Sequence, residues 1–381
     1  MAPRPLTIVL CANQAWNLVN FRSGLIKALK TEGFRIVAVA PADAEMEARL
    51  TALGCKFVPV EIDAAGLSPL RDLRTAYQLY KIIREQQPAA WLSWTIKPNV
   101  YGSFVARLLG VPALPNISGL GTAFISRSPL TLIAKLLYRI GFARAQTVFF
   151  QNTEDRDHFL REGLVRPGQA RVLPGSGIDT AFFSLNKSTR TARRHFLMIS
   201  RLVADKGVRE YAAAAAIVRE KWPDARFRLI GPGAVANRTA IGEDELQGWI
   251  ADGAIEYAGS IDDVRSAIEA ADFVVLPSYR EGLSRVLLEA GAMGRPAVTT
   301  DVPGCRDIVT DGINGYLCEA RDAASLANAL ERAAATEDEA WQAMARAGRE
   351  RVASEFSAER VNALYLAALA DVREVAGRAP G

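Results

Sequence analysis

The sequence predicts an α/β protein of two doubly wound domains, and three observations support this. Short apolar runs of strand length alternate with amphipathic segments of helical period, which is typical of parallel sheets covered by helices on both faces. This alternation occurs twice along the chain. The length of 381 residues also exceeds what a single hydrophobic core usually holds, which favours two domains.

The first half is predicted to open on a strand and to continue with alternating helices and strands. The predicted strands are Leu6–Cys11, Arg35–Ala40, Phe57–Val60, Ala90–Trp94 and Thr147–Gln151. The predicted helices are Asn20–Thr31, Leu70–Glu85 and Leu130–Phe142.

The second half repeats the scheme after the polar stretch 184–194, which has no apolar periodicity and predicts a domain boundary. Its predicted strands are His195–Ser200, Arg226–Ile230, Ala254–Ala258, Phe273–Leu276 and Ala297–Thr299. Its predicted helices include Val208–Lys221 and Val264–Ala270. We therefore expect domains at 1–184 and 185–356, and a last helix in 357–381 that packs back on the first domain.

Composition narrows the class of protein. The chain is 50% hydrophobic and 23% charged, which is typical of globular proteins. Its four cysteines have no metal-ligand spacing and predict buried thiols in a reducing compartment. No secretion signal and no apolar run of membrane-spanning length are recognised, so we expect a cytoplasmic protein.

Charge is distributed unevenly along the chain. Residues 1–190 hold 23 Lys and Arg against 13 Asp and Glu, whereas the remainder holds 23 against 29. The basic first half predicts an anionic partner. No nucleic-acid-binding signature is present, so an anionic membrane surface or a lipid phosphate is favoured over nucleic acid.

The segment SYREGLSRVLLEAGAMGRP (278–296) contains two glutamates, Glu281 and Glu289, separated by seven residues. Glu281 lies on a glycine-containing turn after an apolar run, and Glu289 lies in the helix predicted to follow. On one helix, positions eight apart lie within about a quarter turn and roughly 12 Å apart along the axis. Between them, backbone N–H groups at or near a helix N-terminus favour an anion; these are the groups of Gly282, Leu283 and Ser284.

A carboxylate, an anion site and a second carboxylate fit the sugar, the diphosphate and the ribose of a nucleotide sugar. The alternative is a pair of solvated charges on an exposed helix, which is common. The segment SRLVADKG (200–207) favours the first interpretation, because Arg201 and Lys206 lie in a strand-to-helix turn at the same predicted sheet edge. Arginine matches phosphate oxygens with two donors, and lysine adds a compact charge.

Four segments resemble glycosyltransferase family 4, whose members are retaining enzymes with two facing Rossmann-like domains, the GT-B fold. They are SRLVADKG (200–207), GSGID (175–179), the two-glutamate segment 281–289 and DVPGCRDIVTDGINGY (301–316). The resemblance covers nearly the whole chain. It implies that Glu281 contacts the donor sugar, that Glu289 holds the ribose hydroxyls and that Arg201 and Lys206 neutralise the diphosphate. It also implies that the backbone near Ile261 meets the base.

The first half is similar to a subgroup that builds bacterial surface polysaccharides and lipid-linked glycans. The similar stretches are TIKPNVYGSFVARLLGVP (95–112), NISGLGTAF (116–124) and QNTEDRDHF (151–159). Acceptors in that subgroup are commonly sugars on polyprenyl diphosphate. The segment 13–22 replaces the family's Gly-Gly loop, and neither His158 nor His195 matches the family's cleft histidine. The candidate acceptor-binding residues are Asn20, Arg22, Lys97 and Asn99.

Three further features have structural interpretations that we prefer. The segment GPGAVA (231–236) fits a dinucleotide fingerprint but does not follow the first strand, and a lone fingerprint is a weak signal. The sequence DRD (155–157) begins a helix, where acidic residues suit the helix dipole, so we expect no metal. The region 124–149 combines Leu, Ile and Phe with basic residues, Arg127, Lys135, Arg139 and Arg144 among them. It is either a core helix with solvated charges or a basic amphipathic surface for anionic lipid.

The site residues and the resemblance together therefore predict a retaining glycosyltransferase without a cofactor. It is expected to move an N-acetylhexosamine from a UDP-sugar to a polyprenyl-diphosphate-linked or surface-polysaccharide acceptor. Three alternatives remain open: a dinucleotide-dependent oxidoreductase, a non-catalytic binder of sugar nucleotides or lipids, and an epimerase of nucleotide sugars.

Overall fold

The computed structural model describes residues 5–63, 66, 68–119, 129–184, 190, 194–233, 237 and 239–377. The chain forms two compact units, one of residues 1–177 with 358–381 and the other of residues 178–357. Most of the predicted boundary stretch 184–194 lies outside the described residues. In the part of the chain that the structure describes, no helix is long and apolar enough to span a bilayer.

The first unit is built on a parallel sheet with the strand order β3-β2-β1-β4-β5-β6-β7. Its strands are β1 (Thr7–Cys11), β2 (Arg35–Ala40), β3 (Lys56–Pro59), β4 (Ala90–Trp94), β5 (Ala113–Ile117), β6 (Val148–Phe150) and β7 (Ala170–Val172). Its helices up to the boundary are α1 (Ala15–Thr31), α2 (Ala44–Ala52), α3 (Pro69–Gln86), α4 (Ser103–Leu108), α5 (Pro129–Phe142) and α6 (Thr153–Arg161).

Side-chain alternation assigns the helices of this unit to the two faces of the sheet. Ile8 and Leu10 of β1 pack in one cluster with Leu18 of α1, whereas Val9 packs in another with Leu79 of α3. Successive residues of a strand point to opposite faces, so α1 and α3 cover opposite faces of the sheet.

The second unit has a six-stranded parallel sheet with the order β10-β9-β8-β11-β12-β13. Its strands are β8 (His195–Ile199), β9 (Arg226–Ile230), β10 (Glu256–Tyr257), β11 (Phe273–Leu276), β12 (Ala297–Thr300) and β13 (Gly315–Cys318). Its helices are α7 (Val208–Lys221), α8 (Glu243–Ala251), α9 (Arg265–Ala270), α10 (Arg285–Ala292), α11 (Ala323–Ala335) and α12 (Asp338–Glu355).

Both sheets therefore have the first strand of the unit in the interior, beside the fourth, as in doubly wound nucleotide-binding domains. The predicted alternation of strands and helices is confirmed, but the sequence analysis missed the strands β5, β7 and β13. Strand β5 contains Pro115 and Asn116, which are residues that strands usually avoid. Strand β10 is shorter than predicted, since it lies at the sheet edge and only two residues pair. All four cysteines are buried and unpaired, as predicted.

Arg190 is bonded to the core of the second unit, although it belongs to the polar stretch predicted as a domain boundary. Its guanidinium donates to both carboxylate oxygens of the fully buried Asp272, with Nε–Oδ1 2.6 Å and Nη2–Oδ2 2.5 Å. This two-donor contact ties Arg190 to the residue that directly precedes β11.

The last helix, α13 (Ala358–Gly377), packs within the first unit. Its Tyr365 is fully buried in the cluster of α1 and β4, and its hydroxyl accepts from Trp94 Nε1 at 3.2 Å and from Asn116 Nδ2 at 2.7 Å. A segment distant in sequence thus completes the core of this sheet.

Replacing Tyr365 by Phe tests this packing. The change leaves the Trp94 and Asn116 donors without their acceptor inside the core, which costs about 1–3 kcal/mol. We expect a lower urea midpoint for Tyr365→Phe in equilibrium unfolding, whereas Tyr77→Phe at an exposed position of α3 leaves the midpoint unchanged. An unchanged midpoint for Tyr365→Phe contradicts a stabilising role of this hydroxyl.

Candidate active site

The candidate site lies at the carboxyl edge of the second sheet, where the order of strands reverses. Strands β8 and β11 are neighbours there, and the connections that follow them lead to helices on opposite faces, as the clusters of α7 and α10 show. Such a reversal opens a crevice in which doubly wound domains bind ligands. The connections after β8 and β11 contain both the predicted cations and the predicted first glutamate.

Lys206 and Glu281 meet at this reversal, although 75 residues separate them. The ammonium of Lys206 bonds to Glu281 Oε1, and the buried Ser278 donates its hydroxyl to the same oxygen at 2.7 Å. Their side chains are 22% and 13% exposed, so the pair is mostly withdrawn from water but still reachable. Among the described residues, no hydrogen bond occupies the second oxygen, Oε2, which is available to a ligand hydroxyl.

Backbone contacts hold the two connections together. The N–H of Tyr279 donates to the carbonyl of Asp205 at 2.9 Å, next to Lys206. Gly207 has φ +74, and a Cβ at this position would lie 2.1 Å from the carbonyl oxygen of Pro277. Only glycine permits this approach, which brings the lysine to the glutamate.

The turn after Glu281 is supported by the connection that follows β12. The N–H of Glu281 donates to Pro303 O at 3.3 Å, and the N–H of Ser284 donates to Gly304 O at 3.1 Å. Gly304 has φ +76, and a Cβ there would lie 2.7 Å from Gly282 O. The segment 301–304 therefore determines the path of the residues that carry the predicted anion site.

One expectation about the anion site was wrong. Ser284 is the N-cap of α10 and its N–H is already bonded, so the anion site is smaller than the predicted set of Gly282, Leu283 and Ser284. The helix begins at Arg285, so Glu281 lies before it and Glu289 lies within it, as predicted. The distance calculated from helical rise therefore does not apply to the two glutamates.

Glu289 lies on α10 with a side chain only 10% exposed. Arg285, one turn earlier, donates from Nε to Glu289 Oε1 at 2.8 Å. Burial raises the pKa of the Glu289 carboxyl, and Arg285 opposes this shift only in part. A buried carboxylate with a raised pKa is costly to the fold and is often found at functional positions.

Arg201 and Lys206 have different surroundings. Arg201 lies just after β8 with an exposed side chain, and among the described residues its guanidinium makes no ion pair. Lys206 is balanced by Glu281. Arg201 thus offers the less compensated charge to an anion at this edge.

Ile261 lies after β10, half-buried against the cluster of α9 and α10. The nearby fingerprint glycines have a packing role. A Cβ on Gly231 would lie 1.8 Å from Ser200 O, and the Gly231 N–H donates to Gly259 O at 2.8 Å. The next helix, α8, has three acidic residues in its first turn, which disfavours a phosphate. Residues 234–236 of the fingerprint lie outside the described residues.

The first unit brings two of the four candidate acceptor residues into one cavity. A cavity of about 240 Å³ lies at the carboxyl ends of β1, β4 and β5, again where the strand order reverses. Its lining residues are Asn13, Thr95, Ile96, Lys97, Asn99, Ile117, Ser118, Gly119 and Tyr138. Residues 120–124 of the similar stretch 116–124 lie outside the described residues.

Lys97 and Asn99 already have internal partners. Lys97 Nζ contacts Asp72 Oδ1 at 2.5 Å and Gly66 O at 2.9 Å, so its charge is balanced within the wall. Asn99 is buried and bonds to Ser93 and to the carbonyl of Asn116. These contacts support the cavity wall, and they limit what either side chain offers to a ligand.

The other two candidates lie on α1. Arg22 is buried with its guanidinium 4.5 Å from the ring centroid of Trp94, and Asn20 donates from Nδ2 to Trp16 O of its own helix. Neither lines the cavity.

Thr95 and Asn13 are cavity residues that the sequence analysis missed. Thr95 has φ +72, which is costly for a β-branched residue. The N–H of Asn13 donates to Thr95 Oγ1 at 3.1 Å and holds this conformation. The position of both residues directly after predicted strands was a signal that could have identified them.

The remaining predicted features have structural explanations. In DRD, Asp155 is buried against the helix cap Asn152, and Asp157 pairs with Arg156. His195 lies at the amino end of β8, away from the carboxyl edge, with Nδ1 2.9 Å from Ala270 O. Arg127 lies outside the described residues. Within the described ranges, no group of three or more His, Cys, Asp or Glu could hold a metal ion.

Two family models match the chain in tandem. A glycosyl transferase 4-like model matches residues 7–152, within the first unit, and a glycosyl transferases group 1 model matches residues 193–336, within the second.

Relatives and solved structures extend this similarity over most of the chain. It is 26% identical to the N,N'-diacetylbacillosaminyl-diphospho-undecaprenol alpha-1,3-N-acetylgalactosaminyltransferase of Campylobacter jejuni, over 82% of this chain and 85% of that protein. It is 25% identical to the UDP-Gal:alpha-D-GlcNAc-diphosphoundecaprenol alpha-1,3-galactosyltransferase of Escherichia coli, over 79% and 81%. The crystal structure of Anabaena HepE in complex with UDP and glucose superposes with TM-score 0.79 at 18% identity, covering 96% of this chain and 99% of HepE. A glycosyltransferase from Rickettsia africae superposes with TM-score 0.77 at 16% identity, covering 99% and 100%.

The raised pKa of Glu289 predicts a stability effect of known sign. Between the unfolded and folded pKa values the native state binds more protons than the unfolded state, so the wild type loses stability as pH rises through that window. We expect Glu289→Gln to unfold at a higher temperature than the wild type near pH 7.5, and the difference to vanish near pH 4.

Glu245 provides a control of opposite sign. Its pKa is lowered by Arg209, so Glu245→Gln should unfold slightly lower at neutral pH, with a difference that shrinks as pH falls. Thermal unfolding scans of both variants between pH 4 and 8 measure these effects. A Glu289→Gln variant that melts below the wild type at neutral pH contradicts the interpretation of Glu289 as a destabilising buried charge.

Proposed function

Because this chain belongs to the glycosyltransferases of family 4, with the GT-B fold, we propose that it transfers an N-acetylhexosamine from a UDP-sugar to a polyprenyl-diphosphate-linked glycan with retention of the anomeric configuration. The observation that carries the proposal is the Lys206–Glu281 pair at the strand reversal of the second sheet. A nucleotide sugar suits this position, because a cation lies there beside a carboxylate with one oxygen that accepts no hydrogen bond from the described residues.

The acceptor and donor classes are supported by the two bacterial relatives. Both have names that specify an acceptor on undecaprenyl diphosphate, and the E. coli enzyme's name specifies UDP-galactose. The HepE structure contains UDP and glucose. We carry these classes to this chain because the similarity covers about four fifths of its length.

In the proposed donor complex, Arg201 and Lys206 contact the diphosphate and Glu281 Oε2 accepts a hydroxyl of the sugar. Glu289 accepts the ribose hydroxyls, and the backbone near Ile261 contacts the uracil. Leu283 N–H, at the turn before α10, donates to a phosphate oxygen.

The proposed reaction breaks the bond between the sugar C1 and the diphosphate oxygen and forms a bond from C1 to the acceptor hydroxyl on the same face. The proton of the acceptor hydroxyl passes to the departing phosphate oxygen. Negative charge grows on the diphosphate as it leaves, and the two cations stabilise that charge, which is usually the largest catalytic contribution. Because cationic side chains serve this role, we propose that no divalent metal is needed.

We propose that the cavity of the first unit receives the acceptor sugar. Its lining combines polar residues, Asn13, Thr95 and Ser118 among them, with the apolar residues Ile96 and Ile117. Sugars present a similar combination of hydroxyls and apolar ring faces. The strained Thr95 backbone suggests that the position is retained for binding.

The experiment that tests the overall proposal is incorporation of radiolabelled sugar into lipid. Purified protein is incubated with bacterial membrane extract and labelled UDP-N-acetylglucosamine, UDP-N-acetylgalactosamine or UDP-galactose, with and without EDTA. Label in an organic-extractable glycolipid, unaffected by EDTA, is expected. Release of free sugar or a changed donor sugar without acceptor would instead support hydrolysis or epimerisation.

Nucleotide binding should depend on Glu289. Loss of hydrogen bonds from ribose to an ionised carboxylate costs about 1.5–3 kcal/mol, so we expect Glu289→Ala to bind UDP about 10- to 100-fold more weakly in calorimetric titration. Glu331→Ala on α11, where the partly exposed carboxylate pairs with Lys221, is the matched control and should bind as the wild type does. An oxidoreductase would be favoured if the wild type binds NAD and not UDP, and if Glu289→Ala binds NAD as the wild type does.

The Lys206–Glu281–Ser278 contacts predict a graded loss of activity. Removing the Lys206 charge with Lys206→Met should lower kcat about 10²- to 10³-fold. Ser278→Ala only frees Glu281 to move, so we expect about a tenfold loss in kcat/KM and unchanged affinity for UDP without sugar. Ser354→Ala, on an exposed face of α12, controls for the loss of a hydroxyl. Equal losses for Ser278→Ala and Lys206→Met would contradict the positioning role of Ser278.

A further inference from the structure

The exposed large apolar side chains are concentrated on one layer of helices in the first unit. Helix α4 packs between α3 and α5. Trp91 of β4 pairs with Ala113 of β5, and Ile117 of β5 pairs with Phe150 of β6. Paired residues point to the same face of a sheet, and so do Ala113 and Ile117, which are four residues apart. The apolar clusters beneath the three helices therefore lie on a single face of the sheet. The three helices therefore form one outer layer, which we call the α3–α5 face. Its exposed apolar residues are Leu70, Leu73, Tyr77, Leu108, Leu132, Ile133, Leu136 and Ile140.

Helix α5 is apolar on two sides. Tyr138 and Phe142 point into the core, whereas Leu132 and Leu136 on the outer side are 70% and 58% exposed. A helix that is apolar all round is normally buried, and a patch of this kind marks an interaction site. By contrast, the exposed large apolar residues in the described part of the second unit are scattered: Phe182, Ile217 and Ile313.

The charged side chains of the segment that contains α4 and α5 are all positive. Residues 86–153 contain no Asp or Glu and six Lys or Arg. Arg139 and Arg144 on and after α5 are exposed and make no ion pair among the described residues. Arg107 of α4 donates from Nη1 to Ile140 O of α5 at 3.4 Å. Glu162, directly after α6, is paired with Lys135 of α5.

We propose that the α3–α5 face docks on an anionic phospholipid bilayer, with its leucines and isoleucines in the interface and its arginines against the lipid phosphates. This proposal rests on the proposed function, since a lipid-linked acceptor lies in such a bilayer. Lipid complements both the apolar surface and the positive charge. A second copy of the chain does not, because a two-fold contact through this face would bring the same cations together.

The test is sedimentation of the full chain with vesicles of phosphatidylglycerol and phosphatidylcholine in equal parts, and with vesicles of phosphatidylcholine alone. We expect binding to the anionic vesicles only, weakened by high salt. Each cation removed should lower partitioning about fivefold, so Arg139→Gln/Arg144→Gln loses about 25-fold. Leu132→Ser/Leu136→Ser should lose at least about tenfold through lost apolar burial.

Matched changes on the second unit serve as controls. Ile217→Ser/Ile313→Ser and Arg226→Gln/Arg346→Gln alter exposed residues of the same types and should bind the vesicles as the wild type does. Thermal unfolding of every variant verifies that folding is retained. The proposal is overturned if the wild type does not bind the anionic vesicles at low salt, or if the control variants lose as much binding as the α3–α5 variants. It is also overturned if the wild type is a dimer that Leu132→Ser/Leu136→Ser dissociates.

Transferase activity measured with two different acceptors distinguishes the membrane-docking proposal from the proposed function. With a water-soluble short-chain acceptor, the α3–α5 variants should keep wild-type activity. With the same glycan on a long polyprenyl chain in anionic vesicles, they should lose activity in proportion to their lost binding. Wild-type protein that binds vesicles but transfers sugar to neither acceptor contradicts the transferase proposal alone.

Discussion

The contact between Lys206 and Glu281 is the constraint on which the candidate site depends. It requires β8 and β11 to be neighbours, and it requires Gly207 and Pro277 to approach more closely than any side chain would permit. The pair balances its own charges in the absence of ligand, so neither group is buried uncompensated. In the proposed donor complex, the diphosphate at Lys206 and Arg201 would meet a carboxylate that Ser278 already orients. The sheet topology thus supplies much of the organisation that transfer chemistry would need.

The charge of Glu289, unlike the charges of Lys206 and Glu281, is only partly compensated by its neighbour. Its burial raises its pKa, and Arg285 offsets only part of the cost. A carboxylate maintained at a cost to the fold is understandable if it acquires strong partners only when ligand is bound. The strained backbone of Thr95 at the cavity of the first unit is a similar feature. Thr95 directly follows β4 at the strand reversal of the first sheet, where doubly wound folds bind ligands, and Glu289 lies on the helix that follows β11.

The two units differ in what their surfaces present. The second unit has scattered exposed apolar residues, and its carboxyl edge is formed by tightly joined backbone segments around Gly207, Gly231 and Gly304. The first unit has an apolar and basic helical layer and an open cavity lined by few charges. This difference agrees with the proposal that the second unit binds a nucleotide sugar and the first unit binds a glycan on lipid.

The sequence by itself determined the α/β class, most of the strands, the family and the strand-to-helix turns in which Arg201, Lys206 and Glu281 lie, because apolar periodicity and motif order are local properties. It did not determine that the helix begins at Arg285, that the Ser284 N–H is already bonded, or that Asn99 and Arg22 are buried. Nor did it reveal Ser278, Thr95 and Asn13 as neighbours of the sites. These facts arise from contacts between segments tens of residues apart, such as Tyr279 with Asp205 and Ser284 with Gly304. Only the tertiary structure decides them, because a hydrogen bond or a close backbone approach depends on which strand ends the sheet brings together.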